Sequence, residues 1–341
     1  VDGGTTGSRE EGVMGGGPQR GPGSSQGSVE GYWSRQPRVS VRLSDAYAIL
    51  YDPDTGCERA LNRSGLVVWD AMNGAADALD LANALCSEFD GPSSTELYED
   101  AAGLAQDLER HGFATRSTTP ADRPAPREEH CSSADAPREI DISLTGSCNL
   151  RCSYCFYSGE MARRDDLATA TWISFFDELR QHAVRSVTLS GGEVFTRPDL
   201  WQLVDAVVDA RLRYSFLSNG TRITEDSIAA LSKGSRRRRL DSIQISLDGA
   251  TGAVHDASLG PGSFERALRG LRLLIEARLP VTVRVTINRQ NLSELEDTAV
   301  FLLEKLRLPA FSCNEAVSLG TGCERKSETA LSPEEQLAAM K

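Results

Sequence analysis

Two patterns of hydrophobic and polar positions divide the chain. Between residues 39 and 116, short alternating runs are followed by stretches of helical period; from residue 138 onward, short apolar runs alternate with amphipathic stretches. The first pattern is typical of a small α+β domain, and the second predicts a parallel α/β sheet. We therefore expect an α/β protein in which a partial, TIM-like (β/α)6 barrel follows a small winged-helix domain.

The N-terminal pattern predicts a hairpin, three helices and a closing strand, which is the element order of a winged helix. Strands are expected at residues 39–43, 48–51, 57–61 and 113–115. Helices are expected after Asn62, around residues 79–89, and from Ser93 or Ser94 to Gly112. Asn62 and either serine can cap a helix N-terminus, and Gly112 suits a helix end.

The C-terminal pattern predicts six β strands with helices between them. The strands are expected at residues 140–144, 187–189, 214–217, 243–247, 281–287 and 310–313. In barrels of this kind, catalytic groups gather at the carboxyl ends of the strands. The chain is then expected to divide into a disordered tail (1–37), a winged-helix domain (38–116), a proline-rich linker (117–137), the barrel (138–316) and the start of a truncated or absent C-terminal region (317–341).

Composition and charge exclude several classes of protein. The chain has 341 residues and a formal net charge of −12, which opposes general binding to nucleic acid. No apolar run reaches the roughly 20 residues of a membrane span, and the Gly/Ser-rich start lacks the apolar segment of a secretory signal. Three of the eight cysteines lie between residues 148 and 155, which favours metal binding in a reducing compartment, the cytoplasm, over a disulfide framework.

Cys148, Cys152 and Cys155 follow the first barrel strand with C-x3-C-x2-C spacing. Thiolates are preferred ligands of iron–sulfur clusters, and a [4Fe–4S] cube normally takes four of them. Three local thiolates would leave one iron with an open position, where a metal does chemistry rather than structural work. The alternatives are a zinc knuckle, which usually takes four protein ligands, and buried free thiols.

This motif, with the aromatic Tyr154 directly before its last cysteine, resembles the signature of radical S-adenosylmethionine (radical SAM) enzymes. The resemblance implies that the three cysteines hold a [4Fe–4S] cluster and that the amino and carboxylate groups of SAM chelate the fourth iron. It also implies a 5′-deoxyadenosyl radical that abstracts a hydrogen atom, formed with an electron from a flavodoxin- or ferredoxin-type donor.

Residues at the later strand ends extend the resemblance. In the family, the matching glycine motif holds the amino group of SAM, and the third- and fourth-strand motifs contact the cofactor. The matching positions are Gly191, Gly192, Glu193, Ser218, Asn219, Ser246 and Asp248. Arg284 on the fifth strand could pair with a carboxylate, whereas Val194 and Leu259 stand where relatives carry Pro and Arg. Without the resemblance, these residues could form an ordinary turn, cap a helix or pack against one.

The third helix of the N-terminal domain carries Glu96, Glu99 and Asp100, whose charge would repel the phosphates of DNA. The element order, and residues 60–62 leading into a helix with Trp69, resemble instead the peptide-recognition (PqqD-like) domain of ribosomal-peptide maturation systems. The resemblance implies that an extended leader peptide adds as a strand to the hairpin edge and packs against the third helix. The alternative is an accessory domain without a ligand.

These features lead to one main hypothesis: a radical SAM maturase of a ribosomally synthesised and post-translationally modified peptide (RiPP). Thioether or carbon–carbon bond formation, epimerisation and backbone excision all remain open as its reaction. The alternatives are a radical SAM enzyme that acts on a small-molecule cofactor precursor and a non-enzymatic metal-binding adaptor. One cluster is expected, since neither Cys313 nor Cys323 has the glycine spacing of an auxiliary-cluster domain. The basic run at residues 236–239 is interpreted as a solvated loop or as an attractor of an acidic peptide or an electron donor.

Overall fold

The folded part of the chain begins earlier than the sequence predicts. The computed structural model describes residues 31–43, 47–121, 128–131, 137–157, 165–182 and 184–339, with the backbone alone for residues 128–131. Tyr32–Arg35 forms strand β1, in which Trp33 and Arg35 are buried. The prediction of disorder up to residue 37 is therefore wrong for this strand. Burial of Trp33 stabilises the strand, although the preceding sequence is rich in Gly and Ser. Residues 1–30 lie outside the described residues.

The small domain has the expected hairpin, three helices and closing strand. Its further strands are β2 (Ser40–Leu43), β3 (Ala48–Asp52), β4 (Cys57–Leu61), β5 (Asn73–Ala76) and β6 (Ala114–Ser117). Its helices are α1 (Arg63–Ala71), α2 (Ala78–Glu88) and α3 (Ser94–Arg110). One antiparallel sheet has the order β5-β1-β6. The sequence did not predict β5, because its partner β1 lies in the segment expected to be disordered.

Local signals in the sequence explain the helices of this domain. Asn62 accepts a hydrogen bond from the backbone N–H of Gly65 (2.8 Å) at the start of α1. Ser93 and Glu96 form a reciprocal capping box at the start of α3. The core between the helices and the sheets contains Trp33, Trp69, Leu81, Leu108 and Phe113. Burial of such side chains stabilises the domain by about 1.5–3 kcal/mol each.

A strand also forms inside the expected linker. β7 (Glu128–Cys131) pairs in parallel with β2, so that the second sheet has the order β4-β3-β2-β7. Residues 122–127 and 132–136 of the expected linker lie outside the described residues. Because β7 covers one edge of this sheet, β4 is its other edge.

The C-terminal domain contains the six predicted parallel strands. They are β8 (Glu139–Thr145), β9 (Ser186–Gly191), β10 (Arg213–Ser218), β11 (Leu240–Ser246), β12 (Val281–Ile287) and β13 (Ser312–Glu315). They form one parallel sheet in chain order, so the predicted (β/α)6 topology is confirmed. The last strand is shifted by two residues from its predicted position, and β11 begins three residues earlier than predicted.

Helices follow the strands of the six-stranded sheet, and those between the strands cover one of its faces. They are α4 (Thr169–Gln181), α5 (Leu200–Asp209), α6 (Glu225–Leu231), α7 (Gly234–Arg239), α8 (Gly252–Leu259), α9 (Ser263–Glu276), α10 (Leu295–Val300), α11 (Thr321–Glu324), α12 (Lys326–Thr329) and α13 (Pro333–Ala339). Alternate strand residues such as Tyr214, Phe216 and Ile245 are fully buried against these helices. The intervening residues, such as Ser246 and Arg284, are half-buried on the opposite, inward face. In the described part of the chain, the apolar stretches of the helices fall short of what a bilayer crossing requires.

The two domains meet at the amino ends of the barrel strands. The β3–β4 turn lies against β10 and β11, where Arg213 donates to the backbone oxygens of Pro53 (3.1 Å) and Asp54 (3.3 Å). Arg239 donates to the Asp54 carboxylate at 3.0 Å. β3 is buried along its whole length, including Tyr51 on the face turned away from the small domain's core. The junction is therefore a packed interface, and it lies opposite the end where catalytic groups were expected.

The basic run at residues 236–239 belongs to this part of the structure. It forms the second half of α7, so the prediction of a loop is wrong. Each arginine has a protein partner: Arg236 pairs with Asp205, Arg237 donates to the backbone oxygen of Arg278, Arg238 donates to Ser235, and Arg239 pairs with Asp54. These contacts give the run a structural role in joining elements.

Candidate active site at the carboxyl ends of the strands

The three-cysteine loop lies directly after β8 and is held from two sides. On one side, the Asn149 side chain donates to the Thr221 hydroxyl (2.8 Å), which follows β10. On the other side, the Ser153 N–H donates to the backbone oxygen of Ser258 in α8 (2.8 Å). The loop is therefore fixed against the ends of two neighbouring βα units rather than exposed as a free turn.

The cysteine side chains influence one another electrostatically. Burial raises the pKa of Cys148, and the nearby Glu193 and Cys155 raise it further, while the Leu150 N–H that donates to the sulfur lowers it. Burial, followed by Cys155 and Cys148, raises the pKa of Cys152. Neighbouring buried thiols resist ionisation by themselves, whereas a bound cation stabilises their thiolate forms. This environment suits a metal centre.

The donor set consists of thiols, which are the preferred ligands of iron–sulfur clusters. Among the described residues, no three His, Cys, Asp or Glu side chains lie close enough together to hold one metal ion. In a [4Fe–4S] cube each thiolate binds a different iron. The predicted roles of Cys148, Cys152 and Cys155 remain predictions, with a geometry that is compatible with them.

Gly191 and Gly192 pack directly against the cysteine loop. Gly191 has a φ of +136°, which favours glycine, and a Cβ there would overlap the backbone of Thr145. A Cβ at Gly192 would overlap the backbone oxygen of Ser147 and lie 3.0 Å from the Cβ of Cys148. The glycine motif thus allows β9 and the metal loop to approach each other closely.

Glu193 joins the ends of β9 and β10. Its buried carboxylate accepts hydrogen bonds from the Ser218 hydroxyl (2.9 Å) and from the backbone N–H groups of Asn219 (2.7 Å) and Phe195 (3.1 Å). Burial raises the pKa of Glu193, and these hydrogen bonds oppose the rise. The Asn219 side chain reaches the Cys148 sulfur at 3.9 Å. The structure therefore brings the glycine motif, Ser218, Asn219 and the cysteine loop together, as the sequence predicts.

Asp248 connects the cysteine loop to the fourth and fifth strands. The residue is fully buried; one carboxylate oxygen accepts from the Tyr154 hydroxyl and the other from the Thr286 N–H (2.9 Å). Burial raises its pKa to about 7, while these two hydrogen bonds lower it. Because both oxygens already have protein donors, the geometry favours a positioning role for Asp248, and the predicted contact with SAM stays a prediction.

Arg284 provides a cation on the inward face. It lies beside Ser246 in the register of β11 and β12. Its Nε is buried and has no hydrogen-bond partner among the described residues. A guanidinium with an unpaired donor is suited to a carboxylate, and the predicted contact of Arg284 with SAM stays a prediction.

Sequence reasoning missed two residues that hold Asp248 in place. The Asn291 side chain donates to the backbone oxygen of Asp248 (3.0 Å), and Nδ1 of His255 accepts from its N–H (3.1 Å). Burial lowers the pKa of His255 to about 4, so this acceptor is neutral near pH 7. Leu259, which stands where relatives carry Arg, is itself buried in the protein. Only the position of Asn291 after the fifth strand could have suggested its contact.

The segment after β13 also returns to the cysteine loop. The Gly322 N–H donates to the backbone oxygen of Cys155 (3.3 Å). A Cβ on Gly320, whose φ is +53°, would overlap the backbone of Phe156. The beginning of the expected C-terminal region is thus part of the wall around the site.

Comparison with known proteins agrees with this geometry. The family model for the radical SAM superfamily matches residues 142–302. The barrel is a radical SAM domain. The model for coenzyme PQQ synthesis protein D (PqqD) matches residues 47–114, so the small domain is PqqD-like. Both resemblances seen in the sequence are confirmed. A radical SAM domain implies SAM and a [4Fe–4S] cluster as cofactors.

Curated relatives match the barrel part of the chain. The mycofactocin maturase MftC of Mycobacterium tuberculosis is 37% identical over 179 residues, which are 52% of this chain and 45% of that protein. The AdoMet-dependent heme synthase of Methanosarcina barkeri is 34% identical over 192 residues, which are 56% of this chain and 54% of that protein. The chain thus spans about half the length of the curated relatives it matches.

A solved structure has a similar fold. The crystal structure of Streptococcus suis SuiB bound to its precursor peptide SuiA has a TM-score of 0.56 and 14% identity, covering 84% of this chain and 64% of SuiB. At this identity the likeness concerns the fold, and it confirms the predicted partial barrel behind a small domain.

Proposed function

We propose that this protein is a radical SAM peptide maturase. Its PqqD-like domain binds the leader of a ribosomally synthesised precursor peptide, and its barrel modifies the core of that peptide. Two likenesses support the proposal: MftC is named a maturase, and SuiB was solved with a precursor peptide. The observation that carries it is the presence, in one chain, of a three-cysteine radical SAM barrel and a PqqD-like sheet with an open edge.

The open edge is β4. Within the described residues it pairs with β3 alone, and Cys57, Glu58 and Ala60 are exposed along it. An unpaired edge offers a row of N–H and C=O groups to an extended peptide. Because β7 covers the opposite edge of the sheet, β4 is where a leader strand would add.

We infer a groove between β4 and α3. Arg59 of β4 pairs with Asp107 of α3, which places the two elements side by side. Gly103 lies one helical turn before Asp107 on the same helix face, and no atom lies within 4 Å of where its Cβ would be. The space beside α3 is therefore open, and a strand added to β4 would occupy it.

The barrel residues fit the two cofactors of the superfamily. When bound, the cluster and SAM supply the chemistry of hydrogen-atom abstraction. The three cysteines would hold the cluster, while Gly192 lets the loop approach β9 and Glu193 fixes the ends of β9 and β10. Arg284 would pair with the SAM carboxylate, and Asp248 would hold the Tyr154 side chain. These residues bind and orient the groups rather than perform the reaction themselves.

Anaerobic reconstitution tests the radical SAM part of the proposal. We expect about four irons per chain and a SAM-dependent release of 5′-deoxyadenosine. Replacing Cys152 with serine removes a ligand, so the variant should lose most of its iron, whereas Cys86→Ser, which changes a thiol on α2, should retain it. Retention of full iron by Cys152→Ser, or a single bound zinc in the wild type, would refute this reading.

A second test concerns the peptide. The probe is a labelled peptide encoded by a short reading frame beside this gene, titrated into the full chain and followed by fluorescence anisotropy. Saturable binding and peptide-dependent modification support the maturase. The similarity to the heme synthase favours a second candidate, an enzyme for a small-molecule cofactor precursor. Absence of peptide binding, with SAM cleavage intact, would support that candidate instead.

The compartment and the electron donor follow from the same chemistry. Ionised cysteines that bind iron must stay reduced, so we place the protein in the cytoplasm. The cysteine loop reaches the surface at Phe156, which is 56% exposed. A flavodoxin- or ferredoxin-type donor would approach the cluster on this side.

A further inference from the structure

A basic cleft lies between the two domains, far from the candidate active site. It is lined by β2 and β3 of the small domain and by the ends of α4 and α5 in the barrel. Its described lining contains five arginines and no acidic residue: Arg38, Arg42, Arg180, Arg185 and Arg211. Such a concentration of cations is unexpected in a chain with a net charge of −12.

Existing contacts explain some of these cations. Arg38 pairs with Asp52 (2.9 Å), and Arg185 pairs with Glu58. Arg180 lies in the last turn of α4 and Arg211 follows the end of α5, where helix dipoles favour positive charge. Helix ends and ion pairs therefore explain the positions of four of the five arginines, and the position of Arg42 has no such explanation.

Arg42 and Arg185 point to a missing anion. No hydrogen bond or ion pair to Arg42 is present within the described part of the chain. It lowers the pKa of Arg185 as a like charge, in addition to the lowering by burial. Arg185 is about nine-tenths buried, and its Nη2 has no hydrogen-bond partner among the described residues. A buried guanidinium donor without an acceptor destabilises the folded protein unless a ligand accepts its hydrogen bond.

Arg185 is also held in place for such a ligand. Its guanidinium lies 5.2 Å from the ring centre of Tyr51, and the Tyr51 hydroxyl donates to its backbone oxygen (3.5 Å). The fork of a stacked guanidinium matches the oxygens of a phosphate or carboxylate. We propose that this cleft binds a small oxyanion with several acceptor oxygens, phosphate-bearing or polycarboxylate, which bridges Arg42 of the small domain and Arg185 of the barrel.

This site is distinct from the SAM site. Arg185 precedes β9, and the glycine motif lies at the other end of that six-residue strand, about 20 Å away at 3.3 Å per residue. A ligand that bridges the domains would stabilise their docking by mass action. The proposal does not depend on the proposed function and can be tested without any cofactor.

The test is calorimetric titration of the full chain, free of iron and SAM, with inorganic pyrophosphate and, separately, with citrate. We expect one saturable site for at least one of them and at least tenfold weaker binding in Arg42→Ala. Arg42→Lys should bind with intermediate affinity because it keeps the charge and loses the fork. Arg269→Ala removes an exposed arginine of α9 outside the cleft and should bind as the wild type does.

The comparison of ligands identifies the class. Tighter binding of pyrophosphate assigns a phosphate-bearing ligand, and tighter binding of citrate assigns a polycarboxylate. The thermal midpoint of Arg42→Ala without ligand checks that it is folded, which we expect because Arg42 has no partner to lose among the described residues. Absence of saturable binding by both anions, or equal binding by the wild type and a folded Arg42→Ala, overturns the proposal.

Discussion

Single residues at this site are constrained by very close packing. Gly192 lies where any side chain would overlap the backbone of Ser147, and Gly191 has the positive φ that other residues rarely adopt. The sequence identified both glycines by resemblance, and assigned them to contact with SAM. The structure adds a second reason for them, which is the approach of β9 to the cysteine loop.

Replacing Gly192 with alanine should therefore destabilise the protein. We expect a loss of about 1–3 kcal/mol in the free energy of unfolding, since the loop must move to accept the methyl group. The matched control is Gly103→Ala on α3, where the Cβ meets open space and the helix should gain about 0.5–1 kcal/mol. Urea denaturation of the three proteins measures both changes. Equal stabilities for Gly192→Ala and the wild type would contradict the packing argument.

Asp248 should make stability depend on pH. Its pKa is about 7 in the folded protein against an ordinary value of 3.8, so between pH 4 and 7 the folded state binds a proton that the unfolded state does not. Stability should then fall as pH rises through this window, with a limiting slope of about 1.4 kcal/mol per pH unit from this group. Asp248→Asn should lack this contribution.

The measurement is urea denaturation of the cofactor-free chain from pH 4.5 to 8. His255 contributes with the opposite sign, because its lowered pKa of about 4 makes the unfolded state the better proton acceptor. Subtracting the curve of Asp248→Asn from that of the wild type removes the His255 contribution, which both share. Asp209→Asn, at an exposed position of α5, is the control. Parallel curves for the wild type and Asp248→Asn would be inconsistent with the raised pKa.

At the scale of elements, the sequence predicted what depends on local pattern. The six barrel strands and the element order of the small domain were predicted from such patterns: alternating apolar residues, helix caps and motifs at strand ends. It did not predict β1, β5 and β7, because each is stabilised by pairing with a strand distant in the chain. The contacts of Asp248 with Tyr154 and Asn291 were missed for the same reason, since they connect separate βα units.

Binding of the leader in the groove between β4 and α3 can be tested by placing a large side chain in the groove. Gly103→Phe places a large side chain in the open space beside β4, so leader affinity should fall at least tenfold, while Gly103→Ala should change it little. Binding of the labelled peptide by fluorescence anisotropy measures the effect, with circular dichroism as the check on folding. If both variants bind the peptide like the wild type, the leader does not use this groove.

At the scale of the whole molecule, the two domains are joined by specific polar contacts. Arg239 of the barrel is buried at the junction, where it donates a hydrogen bond to Asp54 of the small domain. Arg213 adds hydrogen bonds to the same turn. The position of the small domain on the barrel is therefore determined by the β3–β4 turn.

Removing the charge of Asp54 should loosen this junction. Asp54→Asn leaves the buried Arg239 without its counter-charge. Because the pair is partly exposed, we expect a loss of about 1–3 kcal/mol in the free energy of unfolding. Small-angle scattering should show a larger radius of gyration, and limited proteolysis between the domains should be faster. Asp90→Asn, at an exposed position after α2, should behave as the wild type. An unchanged radius and cleavage rate would show that the turn is dispensable.

The location of this junction sets a minimum length for any tethered substrate. The small domain contacts the amino ends of the barrel strands, and the cysteines lie at their carboxyl ends. A peptide bound at β4 must therefore span at least the length of a barrel strand, about 20 Å, to reach the cysteines. An extended polypeptide covers that distance in about six residues. Under the proposed function, side chains closer than this to the segment bound at β4 cannot reach the active site. The distance along the peptide from the end of the leader therefore determines the first position that can be modified.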